Sequence, residues 1–158
     1  MKPLCFWIVI LMVLSSCKNT IEYKISDNYV GPCVVFIYQN NSIKNDSNNI
    51  VINEGLGRIN SNKMSQKFIF KSIENNHEIP PVEIGHEETV VDNQRYIFGI
   101  SKNTLDSKCD NKDLNTVTFF VGGKTDYLKW SDKYHNNELN YFDSKGIEWC
   151  NFYKALDN

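Results

Sequence analysis

The sequence predicts a mainly β fold: a two-sheet antiparallel β-sandwich with one or two short C-terminal helices. Three observations carry this reading. Most apolar segments are short, β-branched or aromatic, and alternate with polar residues, which is the period of strands with one buried face. Asn, Asp, Gly and Pro fall between those segments, where turns need residues that tolerate unusual backbone angles. After Thr125 the aromatic spacing changes from two to three and four, the helical period.

Taken in order, Gly31-Pro32 makes a fixed turn into Val34–Tyr38, a continuous apolar run expected to be a central strand buried on both faces. Cys33 beside it reads as a small buried hydrophobe. The pairs Asn40-Asn41, Asn48-Asn49, Asn75-Asn76 and Asn136-Asn137 read as turns, as do Glu54-Gly55-Leu56-Gly57 and Ile79-Pro80-Pro81. In Lys67-Phe68-Ile69-Phe70-Lys71 the two phenylalanines point one way and the lysines the other. Val90-Val91-Asp92-Asn93-Gln94-Arg95 reads as a tight hairpin, because Asp and Asn tolerate positive φ. Tyr96, Phe98 and Ile100 share one strand face, as do Val117, Phe119 and Val121. With seven to nine such strands, packing two sheets face to face is the natural way to bury them.

Gly122-Gly123 lets the last of these strands turn into a helix, which Thr125 is placed to cap. Tyr127, Trp130, Tyr134 and Tyr141 then fall on one helical side, and Asn136-Asn137 breaks the pattern. The segment from Ile147 to Ala155 fits either a final strand or a helical turn.

The first residues follow a different logic. Lys2, an apolar run from Leu4 to Leu14 and the small residues Ser15 and Ser16 make the three parts of an export signal, assigned to residues 1–16. The run of 11 residues is well short of the roughly 20 that a stable bilayer-spanning helix needs. It ends in Leu14-Ser15-Ser16-Cys17, which resembles the lipobox of bacterial lipoproteins at every position. That resemblance implies a diacylglyceryl group on the Cys17 thiol, cleavage just before Cys17 and acylation, such as palmitate, of the new amino terminus. Several acyl chains give stable membrane attachment, which one chain alone does not. Residues 17–20 are then a lipidated tether and residues 21–158 a single domain. Lys18 stands where enteric lipoproteins retained in the inner membrane carry Asp, so the outer membrane is favoured in a cell with two membranes.

A second resemblance rests on Tyr29-Val30-Gly31-Pro32, on Gly55-x-Gly57 followed by Ile59 and Asn60, and on Phe119-Phe120-Val121-Gly122. These segments look like a family of exported bacterial proteins known only as a domain of unknown function, over roughly residues 21–130. It implies an exported β domain and no particular activity.

Cleavage leaves a mature chain of 142 residues with a net charge of about −3. That length buries roughly two-thirds of the unfolded surface, enough for one real core. The charge supplies no basic field, so nucleic acid is not expected as a partner. Removing Cys5 with the signal and committing Cys17 to lipid leaves Cys33, Cys109 and Cys150. Cys109 and Cys150, both in polar surroundings, are the candidate disulfide; the alternative is three unpaired thiols.

Catalytic and cofactor motifs are weak. The best constellation joins His77 to His86 and Glu88, since a strand would put His86 and Glu88 on one face, where a carboxylate orients an imidazole or shares a metal. The spacing matches no metal motif, and Gly55-x-Gly57 and Gly122-Gly123 lack the Lys-Ser/Thr ending of a phosphate loop. No cofactor or resident metal is expected. The candidate recognition surface is aromatic: Trp130, Tyr134, Tyr141 and Trp149 are suited to stacking on a glycan or anchoring a protein interface. The competing reading packs these rings against the sandwich, and it is preferred for Trp130. The expected function is therefore a non-enzymatic, membrane-anchored envelope protein that binds an unidentified protein or glycan. An inhibitor or immunity lipoprotein is the alternative, and a metal-dependent hydrolase using His77, His86 and Glu88 is the weakest reading.

Overall fold

The computed structural model describes residues 20–38, 49–60, 67–106 and 113–136. Seven strands lie among them: β1 (Thr20–Ile25), β2 (Gly31–Tyr38), β3 (Asn49–Ile52), β4 (Leu56–Asn60), β5 (Lys67–Ser72), β6 (Tyr96–Asp106) and β7 (Asp113–Gly122). One α-helix, α1 (Lys124–His135), follows β7. The strands form a three-stranded sheet in the order β3-β1-β5 and a four-stranded sheet in the order β4-β2-β7-β6.

The fold is mainly β with two sheets, but the antiparallel part of the expectation fails. β1 pairs in parallel with both β3 and β5, and β2 pairs in parallel with β4. Among the described strands the β2–β7 and β6–β7 pairs are antiparallel. The cause is the route of the chain. From β1 to β5 it alternates between the sheets, so each return to the first sheet enters from the same end and each new strand runs the same way. Adjacent strands in sequence are then not neighbours in one sheet, and the hairpin logic that makes neighbours antiparallel does not apply.

Two segments tie the sheets together at their edges. Glu54 and Gly55, with φ of 49° and 81°, form the two-residue turn between β3 and β4, closed by mutual Asn53 and Leu56 backbone hydrogen bonds of 3.0 and 2.9 Å. Positive φ at both turn residues is the geometry of the tightest hairpins, yet here the two arms belong to different sheets. On the other side the Ile79 amide donates to the Phe70 carbonyl of β5 (2.8 Å), and the Ile97 amide of β6 donates to the Pro80 carbonyl (3.0 Å). The Ile79-Pro80-Pro81 break is thus a crossing strap between sheets.

The main core lies between the sheets. Ile21, Tyr23 and Ile25 of β1 face Cys33, Val35 and Ile37 of β2 together with Val117, Phe119 and Val121 of β7. Phe68 and Phe70 join them as expected, each ring within 5.4 Å of the Tyr23 ring by centroid. β2 is central, flanked by β4 and β7, and Cys33 to Ile37 are all buried. Lys102 lies over the Phe68 ring at 4.8 Å, a charge on the inner side of an edge strand that discourages further strand pairing.

A second cluster, Tyr96, Phe98 and Phe120, lies on the far face of the four-stranded sheet under α1. Ile100 is not part of it. The pairing of β6 with β7 shifts register between Phe98 and Ser101, at Gly99 with φ of 59°. This bulge inserts one extra residue and sends Ile100 into the main core instead, against the expected shared face. Two further expectations are corrected. Val90 to Arg95 is not a hairpin, because a short 3-10 helix, Glu87–Thr89, and not a strand precedes the turn. Thr125 is not the cap of α1: Gly123 holds that position, and the Thr125 hydroxyl bonds Asp92 Oδ1 at 3.1 Å.

Candidate interaction surface

The strand directions give the fold two distinct ends. β1, β3, β5 and β7 finish, and β2, β4 and β6 begin, at one end, which the β3–β4 turn fixes for both sheets. At that end lie the Ser26–Val30 turn, the Asn53–Gly55 turn, the long connection from Ile73 to Arg95 and the start of α1. The opposite end holds the first residue of β1, Thr20, in register with Lys67.

Arg95 organises the loop end. Its Nη2 donates to the Ser26 carbonyl (2.6 Å) and the Tyr29 carbonyl (2.8 Å), and its Nη1 lies 3.4 Å from Asp27 Oδ1. Glu74 holds the same turn from the other side, accepting from the Asp27 amide (2.8 Å) and the Ser26 hydroxyl (2.9 Å). Asn75 Nδ2 donates to Asp27 Oδ2 at 3.0 Å. Partial burial lowers the Arg95 pKa, with the Asp27 carboxylate working against that shift. For Glu74, desolvation pushes upward, but hydrogen bonds from Asp27 and Ser26 hold the carboxyl below its ordinary value of 4.5. Three segments far apart in sequence are thereby locked together. The Tyr29 hydroxyl adds a fourth tie, donating to the Pro32 carbonyl at 2.6 Å.

The aromatic side of α1 is built as predicted from its spacing. Tyr127 stacks on Phe98 with centroids 4.4 Å apart and planes 5° apart, Trp130 lies 5.4 Å from Phe120, and Tyr134 stacks on Trp130 at 5.1 Å. Trp130 is thus flanked by Phe120 on one side and Tyr134 on the other, and it is only partly buried. Tyr134, at 38% exposure, is the outermost ring of the stack among the described residues. Trp130→Ala is expected to cost about 2 kcal/mol, less than the roughly 3–5 kcal/mol of a fully enclosed ring. Thermal melts check this, and an unchanged melting temperature would return Trp130 to the recognition surface.

His77, His86 and Glu88 are not brought together as a strand would require. His77 follows the turn after β5, while His86 leads the 3-10 helix that contains Glu88. Glu88 pairs with Lys124 of α1 at 3.1 Å. Among the described residues no group of three or more His, Cys, Asp or Glu side chains is placed to hold a metal ion. Cys33 is buried, and its thiol lies 4.0 Å from the Gly31 carbonyl. Cys17, Cys109, Cys150, Tyr141 and Trp149 lie outside the described residues.

No family model matches the chain, and no curated protein matches it. The resemblance over residues 21–130 to a family of exported proteins therefore gains no support. A 2.75 Å crystal structure from Bacillus anthracis, of a protein provisionally described as a lipoprotein, is similar over 66% of this chain and 70% of its own length, with 10% identity and a TM-score of 0.32.

The Arg95 cluster was not anticipated from the sequence. Arg95 sits in a stretch that reads as a plain turn, and its partners at Ser26, Asp27 and Tyr29 are more than sixty residues away. No local pattern encodes such a contact.

Proposed function

We propose that this chain is a bacterial envelope lipoprotein whose β domain, held on the membrane through Cys17, binds a partner and catalyses no reaction. The observation that carries the anchor is the sequence Leu14-Ser15-Ser16-Cys17 after an apolar run, set directly before the fold. β1 begins at Thr20 and is the central strand of its sheet, with β3 and β5 on either side. Cleavage before Cys17 leaves that strand whole, with only Lys18 and Asn19 between it and the lipid. No described helix is long and apolar enough to cross a membrane, and in this reading the acyl chains on Cys17 supply the attachment. The outer membrane is the favoured location where two membranes exist, since Lys18 and not Asp follows the cysteine.

Cys17→Ser is expected to abolish incorporation of radiolabelled palmitate and to leave the uncleaved precursor, because a hydroxyl does not replace the thiol as acceptor of the diacylglyceryl group. Normal labelling of this variant would remove the anchor from the account. The binding reading is supported by loops that Arg95 and Glu74 tie together at one end of the two sheets. Accordingly, elemental analysis of purified protein is expected to find no stoichiometric divalent metal. About one zinc per chain, lost in His86→Ala, would promote the hydrolase instead.

A further inference from the structure

The lipid anchor and the tied loops stand at opposite ends of the fold. A tether of three peptide steps from Cys17 spans at most about 10 Å, so Thr20 stays close to the bilayer surface. β1 then carries the chain away from that point by roughly 17 Å over its six residues. At its far end, four large aliphatic side chains are left exposed on the loops: Val30 at 53%, Ile73 at 44%, Ile84 at 77% and Val91 at 59%. Ile73 directly precedes Glu74 of the Arg95 cluster, and its amide donates to the Ile25 carbonyl at 3.0 Å. Val30 follows Tyr29, whose carbonyl Arg95 holds, and its side chain lies against Gly122. Val91 is tied to Tyr96, whose hydroxyl lies 3.4 Å from its amide.

Aliphatic side chains held in the open on fixed loops cost little ordering entropy when they are covered, which is the condition of a preorganised interface. Charge then selects the occupant. The connections at this end, from Asp27 to Arg95, carry eight carboxylates against the guanidinium of Arg95, to which the start of α1 adds the ammonium of Lys124, paired with Glu88 at 3.1 Å. Such a field slows the approach of acidic proteins and steers basic ones.

We propose that this anchor-distal loop end is the docking surface of the protein, and that its partner is a protein with a basic patch surrounding a small apolar centre. Its outward orientation rests on the lipid-anchor reading. Ile84 and Val91 enter the apolar centre, and exposed carboxylates such as Glu78 and Glu83 meet the basic rim. The aromatic stack on α1 is left as packing.

The test uses the full-length chain in intact cells, with a photo-reactive amino acid placed in turn at Ile84, Val91, Val51 and Tyr134. Val51 and Tyr134 are exposed positions on the outer face of the β3-β1-β5 sheet and on α1. The expected result is one discrete protein adduct from Ile84 and Val91, about tenfold or more weaker from the other two positions, and lost when Glu78→Lys and Glu83→Lys are introduced together. Mass spectrometry is expected to identify a protein with a basic surface. Equal adducts at all four positions, an adduct that survives charge reversal, an acidic partner or a second copy of this chain would each overturn the proposal. Palmitate labelling of the same cells separates the two readings. Lipid label without any adduct overturns the docking surface and keeps the anchor, whereas an adduct without lipid label overturns the anchor and keeps the surface.

Discussion

Phe119→Ala is expected to destabilise the protein by about 4 kcal/mol, the largest effect of any single truncation in the described core. Phe119 projects from β7 of one sheet into the other, where its ring meets Phe70 edge-on at 4.9 Å and Tyr23 at 5.9 Å. All three side chains are almost fully enclosed. Tyr23 and Phe70 are themselves stacked, at 5.2 Å and 17°, on adjacent parallel strands in register. Removing the third ring therefore empties a volume walled by β-sheet on both sides. The two sheets are pinned at their edges by the Glu54-Gly55 turn and the Ile79–Pro81 strap, so they have little freedom to close the gap. Urea denaturation of wild type and variant, compared at equal slope, measures the cost. A loss below about 1 kcal/mol would mean that the sheets collapse onto the cavity and that the edge ties are loose.

Arg95→Met is expected to cost about 2–3 kcal/mol and, unlike the core change, to act on one end of the molecule. The methionine keeps most of the aliphatic volume but leaves the Ser26 and Tyr29 carbonyls without their charged donor and Asp27 without its cation. Hydrogen bonds from a charged donor are worth more than neutral ones, and carbonyls left half-buried without a donor pay part of their desolvation. Hydrogen exchange should consequently rise in residues 26–30 and 73–77 while the amides of β2 and β7 stay protected. Uniform acceleration across both sheets would show that the cluster holds the whole fold and not the loop end alone. The same cluster has a predictable response to acid. The Glu74 carboxyl is held below its ordinary value of 4.5, so its stabilising contribution is complete above that value and is lost as the pH falls through the lower folded value. Loosening of the Ser26–Val30 turn in an acid titration followed by NMR should therefore begin below about pH 4.5 and not near neutrality.

Much of the strand content follows from residue type and alternation. Val117, Phe119 and Val121 face one way because successive side chains on a strand leave opposite faces, whatever the strand pairs with. The turn at Glu54-Gly55, the passage from β7 into α1 at Gly122-Gly123 and the aromatic side of α1 are likewise local, although Leu56 and Gly57, read as part of that turn, already belong to β4. The segment Leu14-Ser15-Ser16-Cys17, on which the proposed anchor rests, is local in the same sense. Pairing direction is different in kind. Whether β1 meets β3 in parallel depends on β2 having joined the other sheet, and alternation within a strand is the same for either partner. Ile100 shows the limit at the level of one residue, because its face changes with a bulge at Gly99 that only the register against β7 makes necessary. Arg95 shows it for the loop end. Its charge and length are plain in the sequence, but its three oxygen partners are brought to it by the closure of the sandwich across more than sixty residues. Short-range preference thus decided which segments are strands and which side of each is apolar, while direction, register and the Arg95 cluster were decided by tertiary packing, where free energy depends on contacts between segments that do not adjoin in the chain.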